Sequence, residues 1–452
     1  MAGHCSLRDA ITSANLDGPV HGCAAGTGDD TIVFANGVSG TIILNAVLPD
    51  IDRNLSIVGP SAGIVISGNN QVPIMFIDEA SLGRSTVILR NLTFTAARYN
   101  LGGGAINNNG TLTVDNCTFS ENEGNNGGAI ISIGRLTVSN STFSSNNALV
   151  GGALGLTRSQ AGDTTVVVNS TFYGNSAGQG GAIFVGGARL NVVNSTFSDN
   201  GASIGGGIFS TLGITTAKGT IVTGSAGDNC DGDIEDEGYN ISDDATCHFS
   251  AAGSHNNTDP QLDPGGLADN GGPTQTIALL AGSPAIDKIP PEICPATDQR
   301  EYLRPAPGQT DCDIGSFELN AVPAPTIDCS AAKASRPNLV SLPLAFMPES
   351  IFGVTDPGGP FSISMTSITQ DKPVSGGGPI CSDGFGVGTS TAWVRANGQG
   401  SGGLIYTLGF TATDGGGGGS CSGAVKVCVQ DLRHQGQCVD TGRSFDSTKC
   451  RR

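Results

Sequence analysis

Between residues 86 and 222 apolar and polar side chains alternate in short runs, Leu112-Thr-Val114-Asp-Asn116 and Leu136-Thr-Val138-Ser-Asn140 among them. Helical spacing is absent from this stretch. Alternation over about four to eight residues marks a half-buried strand. The runs also keep a beat. The phrase Asn-x-Thr-Phe occurs at Asn91/Phe94, Asn116/Phe119, Asn140/Phe143, Asn169/Phe172 and Asn194/Phe197, so the phenylalanines step by 25, 24, 29 and 25 residues. A second phrase follows each time, at Gly103-Gly-Ala-Ile106, Gly127-Gly-Ala-Ile130, Gly151-Gly-Ala-Leu154, Gly180-Gly-Ala-Ile183 and Gly205-Gly-Gly-Ile208. A fixed period of this size is the signature of a repeat architecture. The unit that fits is one turn of a parallel β-solenoid. The predicted fold is all-β, a right-handed parallel β-helix followed by a small β-sandwich.

Coils of such a solenoid lie about 4.8 Å apart, so equivalent side chains fall above one another. Phe94, Phe119, Phe143, Phe172 and Phe197 are therefore expected as one internal stack. Asn91, Asn116, Asn140, Asn169 and Asn194 fall at bends, where Asn tolerates left-handed backbone, and an amide ladder from coil to coil is expected of them. With Leu112 and Val114 inward, one outward row reads Arg90, Asp115, Ser139, Val168, Val193. Two residues earlier the row reads Ile88, Thr113, Thr137, Val166, Asn191. Val166, Val168 and Val193 then form an exposed apolar strip, a candidate contact surface. If Ile130, Ile183 and Ile208 point inward, Ile131, Phe184 and Phe209 point outward. If the parity slips at the Gly-Gly bend, Phe184 and Phe209 are core instead.

Six segments follow from these patterns. Residues 1–26 form an N-terminal cap with helical spacing in Leu7-Arg-Asp-Ala-Ile11, and residues 27–222 form about eight coils. Residues 223–320 lose the period and gain Pro and Cys, which predicts an irregular closing module locked onto the last coil. Residues 321–328 are a Pro-rich linker. Residues 329–430 hold alternating runs, Ile363–Ile368, Thr391–Val394, Ile405–Phe410 and Ala424–Cys428, of immunoglobulin-like size, with Gly415–Gly419 as a hairpin tip. Residues 431–452 are a cysteine-clasped tail.

The formal net charge of −18 makes nucleic acid and anionic lipid unfavourable partners. No apolar run reaches the length of a membrane span. The abrupt opening Met1-Ala-Gly-His-Cys5 reads as a trimmed start. Thirteen cysteines fall mostly in close pairs: Cys5/Cys23, Cys230/Cys247, Cys294/Cys312, Cys381/Cys421 and Cys438/Cys450, with Cys329/Cys428 bracketing the last large domain. Zinc-type spacing is lacking, so disulfides and an oxidising compartment are expected. Cys117 shares a slot with Leu92, Ser141, Ser170 and Ser195, and reads as a free structural thiol.

Cys5-Ser-Leu-Arg-Asp-Ala-Ile11, Ala14-Asn15 and Gly28-Asp-Asp-Thr-Ile32 resemble the "CSLREA" opening of secreted bacterial β-helix proteins, with Asp9 in place of the usual Glu. The coils are similar to those of polymorphic outer-membrane, adhesin-like proteins. Leu267–Thr276, Gly282–Asp287, Asp298-Gln-Arg300, Arg304-Pro305 and Cys312–Glu318 resemble the "choice-of-anchor Q" module. The resemblance covers roughly residues 5–320 and implies a secreted or cell-surface bacterial protein.

A β-helix polysaccharide lyase or glycoside hydrolase is the alternative to a non-catalytic scaffold. A hydrolase needs two carboxylates at about 5–9.5 Å, but the two outward rows hold a single acid, Asp115. The denser set Asp287, Asp298, Arg300, Arg304, Asp313 and Glu318 reads as a buried salt-bridge network. Gly227–Glu237 is an acidic loop where calcium is possible, although it lacks the spacing of a named calcium loop; other metal ligation is unknown. The Asn-x-Thr phrases match a glycosylation acceptor, which the ladder makes unnecessary. The expected protein is an extracellular scaffold or adhesin, binding a carbohydrate or protein surface ligand or assembling with itself.

Overall fold

The computed structural model describes residues 5–323 apart from 27, 36, 61–62, 81–82 and 158–162. Beyond these it describes 328–335, 338–340, 346–355, 361–372, 383–395, 404–414, 420–430, 438, 441 and 443–448. Two compact units result, Met1–Pro323 and Ala324–Arg452.

The first unit is a parallel β-solenoid of about eight turns. A representative coil runs through Thr111–Asp115 on a first face, Thr118–Ser120 on a second and Ile130–Ser132 on a third. Arg135–Ser139 then starts the next coil. Pairing is parallel and keeps equivalent residues together: Leu112 opposite Leu136, Phe119 opposite Phe143, Ile130 opposite Leu154. The second face is a nine-stranded sheet. The first and third merge into one sheet because Ile208–Lys218 is long enough to turn the corner between them.

Inside, the five phenylalanine rings are fully buried and stack at centroid distances of 4.8, 4.8, 4.9 and 4.6 Å. That spacing is the strand spacing itself. Asn91, Asn116, Asn140, Asn169 and Asn194 occupy left-handed bends, with φ between 43° and 56°. Their amides, however, do not form the expected ladder. The ladder lies three residues after the last four Phe, on Asn122, Asn146, Asn175 and Asn200, all buried. Asn122 Nδ2 donates to Asn146 Oδ1, Asn146 Nδ2 to Asn175 Oδ1, and Asn175 Nδ2 to Asn200 Oδ1, each at 2.9 Å. Each amide also donates to the carbonyl of a stacked Phe, as Asn146 does to Phe119 at 3.0 Å. An inward amide has no water to bond, so only a partner one coil away satisfies it. The bend asparagines face outward, where other partners are at hand.

The helix Leu7–Leu16 caps one end through buried Ile11 and Ala14. Ser6 and Asp9 close a capping box at its start, so Asp9 serves the role a Glu would there. The solenoid continues past residue 222. Cys230–Asp236 pairs with Ile208–Lys218, and Ile241–Ser242 with Ile221–Thr223. At Val222 the Phe slot loses its aromatic ring, which hides the repeat in the sequence, while the backbone register persists. The acidic stretch is accordingly a strand, not a loop. The closing module does not simply cover the last coil. It folds back as a strap along the second face, from the coil of Asn116 to that of Gly219.

The second unit holds a five-stranded sheet and a three-stranded one. The five-stranded sheet joins Asn338–Val340, Ser420–Gln430, Leu404–Asp414, Phe361–Gln370 and Phe445–Asp446. Met365, Tyr406 and Phe410 from it share one apolar core with Ala392 and Val394 of the other sheet. The tail is not a separate clasp, because Phe445–Asp446 pairs with Phe361–Gln370.

Disulfides join Cys5–Cys23, Cys230–Cys247 and Cys294–Cys312 in the first unit. In the second they join Cys329–Cys421 and Cys428–Cys438, which replaces the expected Cys329/Cys428, Cys381/Cys421 and Cys438/Cys450. Closeness in sequence misleads there, since Cys421 and Cys428 lie on one long strand. Cys381, Cys450, the run Gly415–Gly419 and linker residues 324–327 lie outside the described residues.

Candidate functional site

Parallel register turns every outward position into a row. On the first face, Arg90, Asp115, Ser139, Val168, Val193 and Lys218 stand in line. Asp115 is engaged on all sides: Arg90 Nε at 2.9 Å, Ser139 Oγ at 2.8 Å and Asn140 Nδ2 at 3.1 Å. This carboxylate holds neighbouring coils together and has no second acid in its row. Val166, Val168 and Val193 are half-buried on the same face.

On the third face the parity does not slip. Ile130, Ile183 and Ile208 are buried, while Ile131, Phe184 and Phe209 point outward and are half-buried. Phe184 and Phe209 are cross-strand neighbours with ring centroids 5.7 Å apart. The corner between the two faces is apolar as well, because Leu212 is 96% exposed at a φ of 57° and Ile214 is also exposed. Sequence alternation missed both, since the bend interrupts the period-two pattern at this point. A strip of Phe184, Phe209, Leu212 and Ile214 therefore turns the corner toward the face that carries Val166, Val168 and Val193.

The second face is closed by the strap. Thr142 Oγ1 donates to the Gln275 carbonyl at 2.6 Å, Thr171 Oγ1 to Gln299 Oε1 at 2.6 Å, and the Ser316 N–H to Thr196 Oγ1 at 3.0 Å. Bend asparagines take part: Asn116 Nδ2 donates to Glu301 Oε1, and Asn169 Nδ2 to the Thr297 carbonyl. Asn169 and Asn194 are buried beneath it, out of reach of a sugar.

The charged set of the strap is internal. Arg300 pairs with Asp298 at 2.6 Å and lies over the rings of Phe317 and Tyr302, at 3.7 and 4.3 Å from their centroids. Arg304 faces Glu318 at 3.4 Å, with both side chains fully enclosed. Burial pushes the Glu318 carboxyl up to about 7 against the pull of Arg304, and it raises Asp313 too. Asp287 contributes its N–H to Asp313 Oδ1 at 2.8 Å. With Glu318 accepting the N–H groups of Ala306 and Asp313, this cluster fixes the strap and offers no opening to substrate.

In the acidic strand, burial opposes the charge of Asp236, but backbone N–H groups of Ala251 and Gly238 outweigh it and keep its carboxyl below the usual range. Among the described residues, no three His, Cys, Asp or Glu side chains are grouped as metal ligands. Cys117 is the free thiol of the described residues; burial pushes it up to about 12, which leaves it without thiolate character. A cavity of about 480 Å³ that sequence gave no sign of opens between the cap helix and the first coil, lined by Leu7, Ile32, Phe34, Val38 and Ile42. Comparison with protein-family models, curated proteins and solved structures returns no match.

Proposed function

We propose that this protein is a non-catalytic extracellular or cell-surface scaffold of the right-handed β-helix class, adhesin-like, which makes contact through the outer surface of its solenoid. The observation that carries the reading is the apolar strip in which half-buried Phe184 and Phe209 run on into exposed Leu212 and Ile214. Exposed apolar strips on rigid, soluble units mark contact surfaces. In the row from Arg90 to Lys218 the one acid, Asp115, is held in an ion pair with Arg90, so that row presents no pair of carboxylates of the kind glycoside hydrolysis needs. The CSLREA-like opening, the strap's resemblance to a choice-of-anchor Q module and the disulfides support a secreted bacterial setting. No helix among the described residues is long and apolar enough to cross a membrane.

The test is a panel of neutral and acidic polysaccharides assayed for new reducing ends and unsaturated products, run beside a concentration series of the protein alone. The expected outcome is no cleavage and a concentration-dependent association of copies through the strip. Turnover of any polysaccharide overturns the non-catalytic reading.

A further inference from the structure

The chain has a single tryptophan, and it is not in a core. Trp393 lies on Ala392–Arg395, 36% exposed, directly opposite Phe385 of the neighbouring strand Gly384–Phe385, which is 46% exposed. The two ring planes are within 6° of each other, with centroids 5.8 Å apart. Exposing such rings forfeits the burial that drives aromatics inward, and it presents π-faces to solvent.

The strands beneath the pair are pinned from inside. Arg395 Nε meets Asp383 Oδ1 at 3.1 Å, and the Arg395 N–H donates to the Asp383 carbonyl at 2.8 Å. The buried Tyr406 hydroxyl bonds the carbonyls of both Asp383 and Arg395, at 3.2 and 3.1 Å. The connecting turn is tied down too: the Gly388 N–H donates to the Met365 carbonyl and the Met365 N–H to the Thr389 carbonyl, both at 2.8 Å. The rings thus sit on a support that needs no reorganisation to receive a ligand.

What surrounds the rings defines the ligand. Residues 384–394 contain no charged side chain. Gly388 leaves open space where a side chain would stand, Ser390 is exposed beside it, the Thr389 hydroxyl bonds the Gly386 and Thr391 carbonyls and so fixes the turn, and Val387 extends the apolar surface. An exposed aromatic pair beside the hydroxyl of Ser390, with no charged side chain among residues 384–394, fits a neutral sugar, whose C–H face stacks on a ring while its rim of hydroxyls bonds to neighbouring polar groups. The net charge of −18 disfavours polyanionic glycans and nucleic acid. We propose that Trp393 and Phe385 form a binding site for a neutral polysaccharide. The site lies in the second unit and does not depend on the solenoid strip.

Trp393 is its own reporter. The full-length protein is titrated with cellohexaose, laminarihexaose and chitohexaose, with polygalacturonate as the charged control, and tryptophan emission is followed. Affinity electrophoresis in gels carrying the matching polymers provides a readout that does not need the indole. The expected result is a saturable emission change with at least one neutral glycan and none with polygalacturonate. Retention should fall about tenfold or more in both Trp393→Ala and Phe385→Ser, as removal of a central aromatic contact does. Circular dichroism establishes that each variant is folded. No emission change and no retention with any neutral glycan overturns the site, as does retention that both folded variants keep. Loss of dimerisation in Trp393→Ala, without glycan binding in the parent, also overturns it and assigns the rings to a contact between copies.

Discussion

Arg304 and Glu318 face each other at 3.4 Å in the strap, and neither side chain reaches solvent. Their pairing couples the fixation of the second face to pH. Burial raises the folded-state pKa of Glu318 from 4.5 to about 7. For an acid, a raised value means that the folded protein holds the proton after the unfolded chain has released it. Stability from this group is therefore present below about pH 4.5 and declines as pH rises toward about 7. Urea unfolding across that window should show the decline, up to about 3 kcal/mol. In Glu318→Gln the decline should flatten, even if the variant is weaker at low pH through loss of one acceptor for the N–H groups of Ala306 and Asp313. An unchanged slope in the variant would remove Glu318 as the titrating group.

The Asn ladder is expected to be costly to interrupt. Asn146→Ala removes the side-chain donor to the Phe119 carbonyl and the acceptor of the Asn122 N–H and of one Asn122 Nδ2 hydrogen, while Asn175 Oδ1 keeps only the backbone N–H of residue 146, all inside a dry core. Unsatisfied buried groups cost about 1–3 kcal/mol each, so a loss of roughly 3 kcal/mol or more is expected in chemical denaturation. Asn140→Gly, which keeps the left-handed bend at φ 50°, removes an outward bond to Asp115 and should cost about 1 kcal/mol. Equal losses would contradict the inward ladder.

Truncating the aromatic stack tests packing separately from hydrogen bonding. Phe143→Ala should cost about 3–5 kcal/mol, because rings above and below at 4.8 and 4.9 Å cannot close the gap without breaking register. Phe143→Leu should cost clearly less. A loss below about 1 kcal/mol for the alanine variant would mean the coils move independently.

Non-reducing peptide mapping should recover Cys329 linked to Cys421 and Cys428 linked to Cys438. Recovery of a Cys329–Cys428 peptide would instead favour the bracket read from sequence spacing.

Legibility in the sequence followed from how strictly each feature is copied by the repeat. The Phe slot and the outward row through Asp115 are set by period-two alternation and the coil length, and both are visible as letters, whereas the parity of Phe184 and Phe209 stays open in the letters because alternation does not say how the Gly-Gly bend passes it on. The Asn122 ladder was visible too, as Phe-x-x-Asn on the same beat, but the more conspicuous Asn-x-Thr-Phe phrase drew the amide role to itself. The strap could not be read. Its contacts, Gln299 with Thr142 and Thr171 for instance, join residues more than a hundred positions apart without a shared period. The cysteine pairing of the second unit failed for the same reason, since strand length decides which thiols meet. Leu212 and Ile214 escaped because a bend breaks the alternation that would have placed them.

Sedimentation velocity over a concentration series tests the contact surface most directly, comparing the parent with the combined variant Val166→Ser, Val168→Ser, Val193→Ser and with Phe184→Ser, Phe209→Ser. Expected are concentration-dependent association in the parent, its loss in both variants, and melting temperatures within about 2–4 °C of the parent, the shift that about 1 kcal/mol produces in a large domain. A parent that stays monomeric throughout, or variants that melt much lower while associating as before, would contradict it.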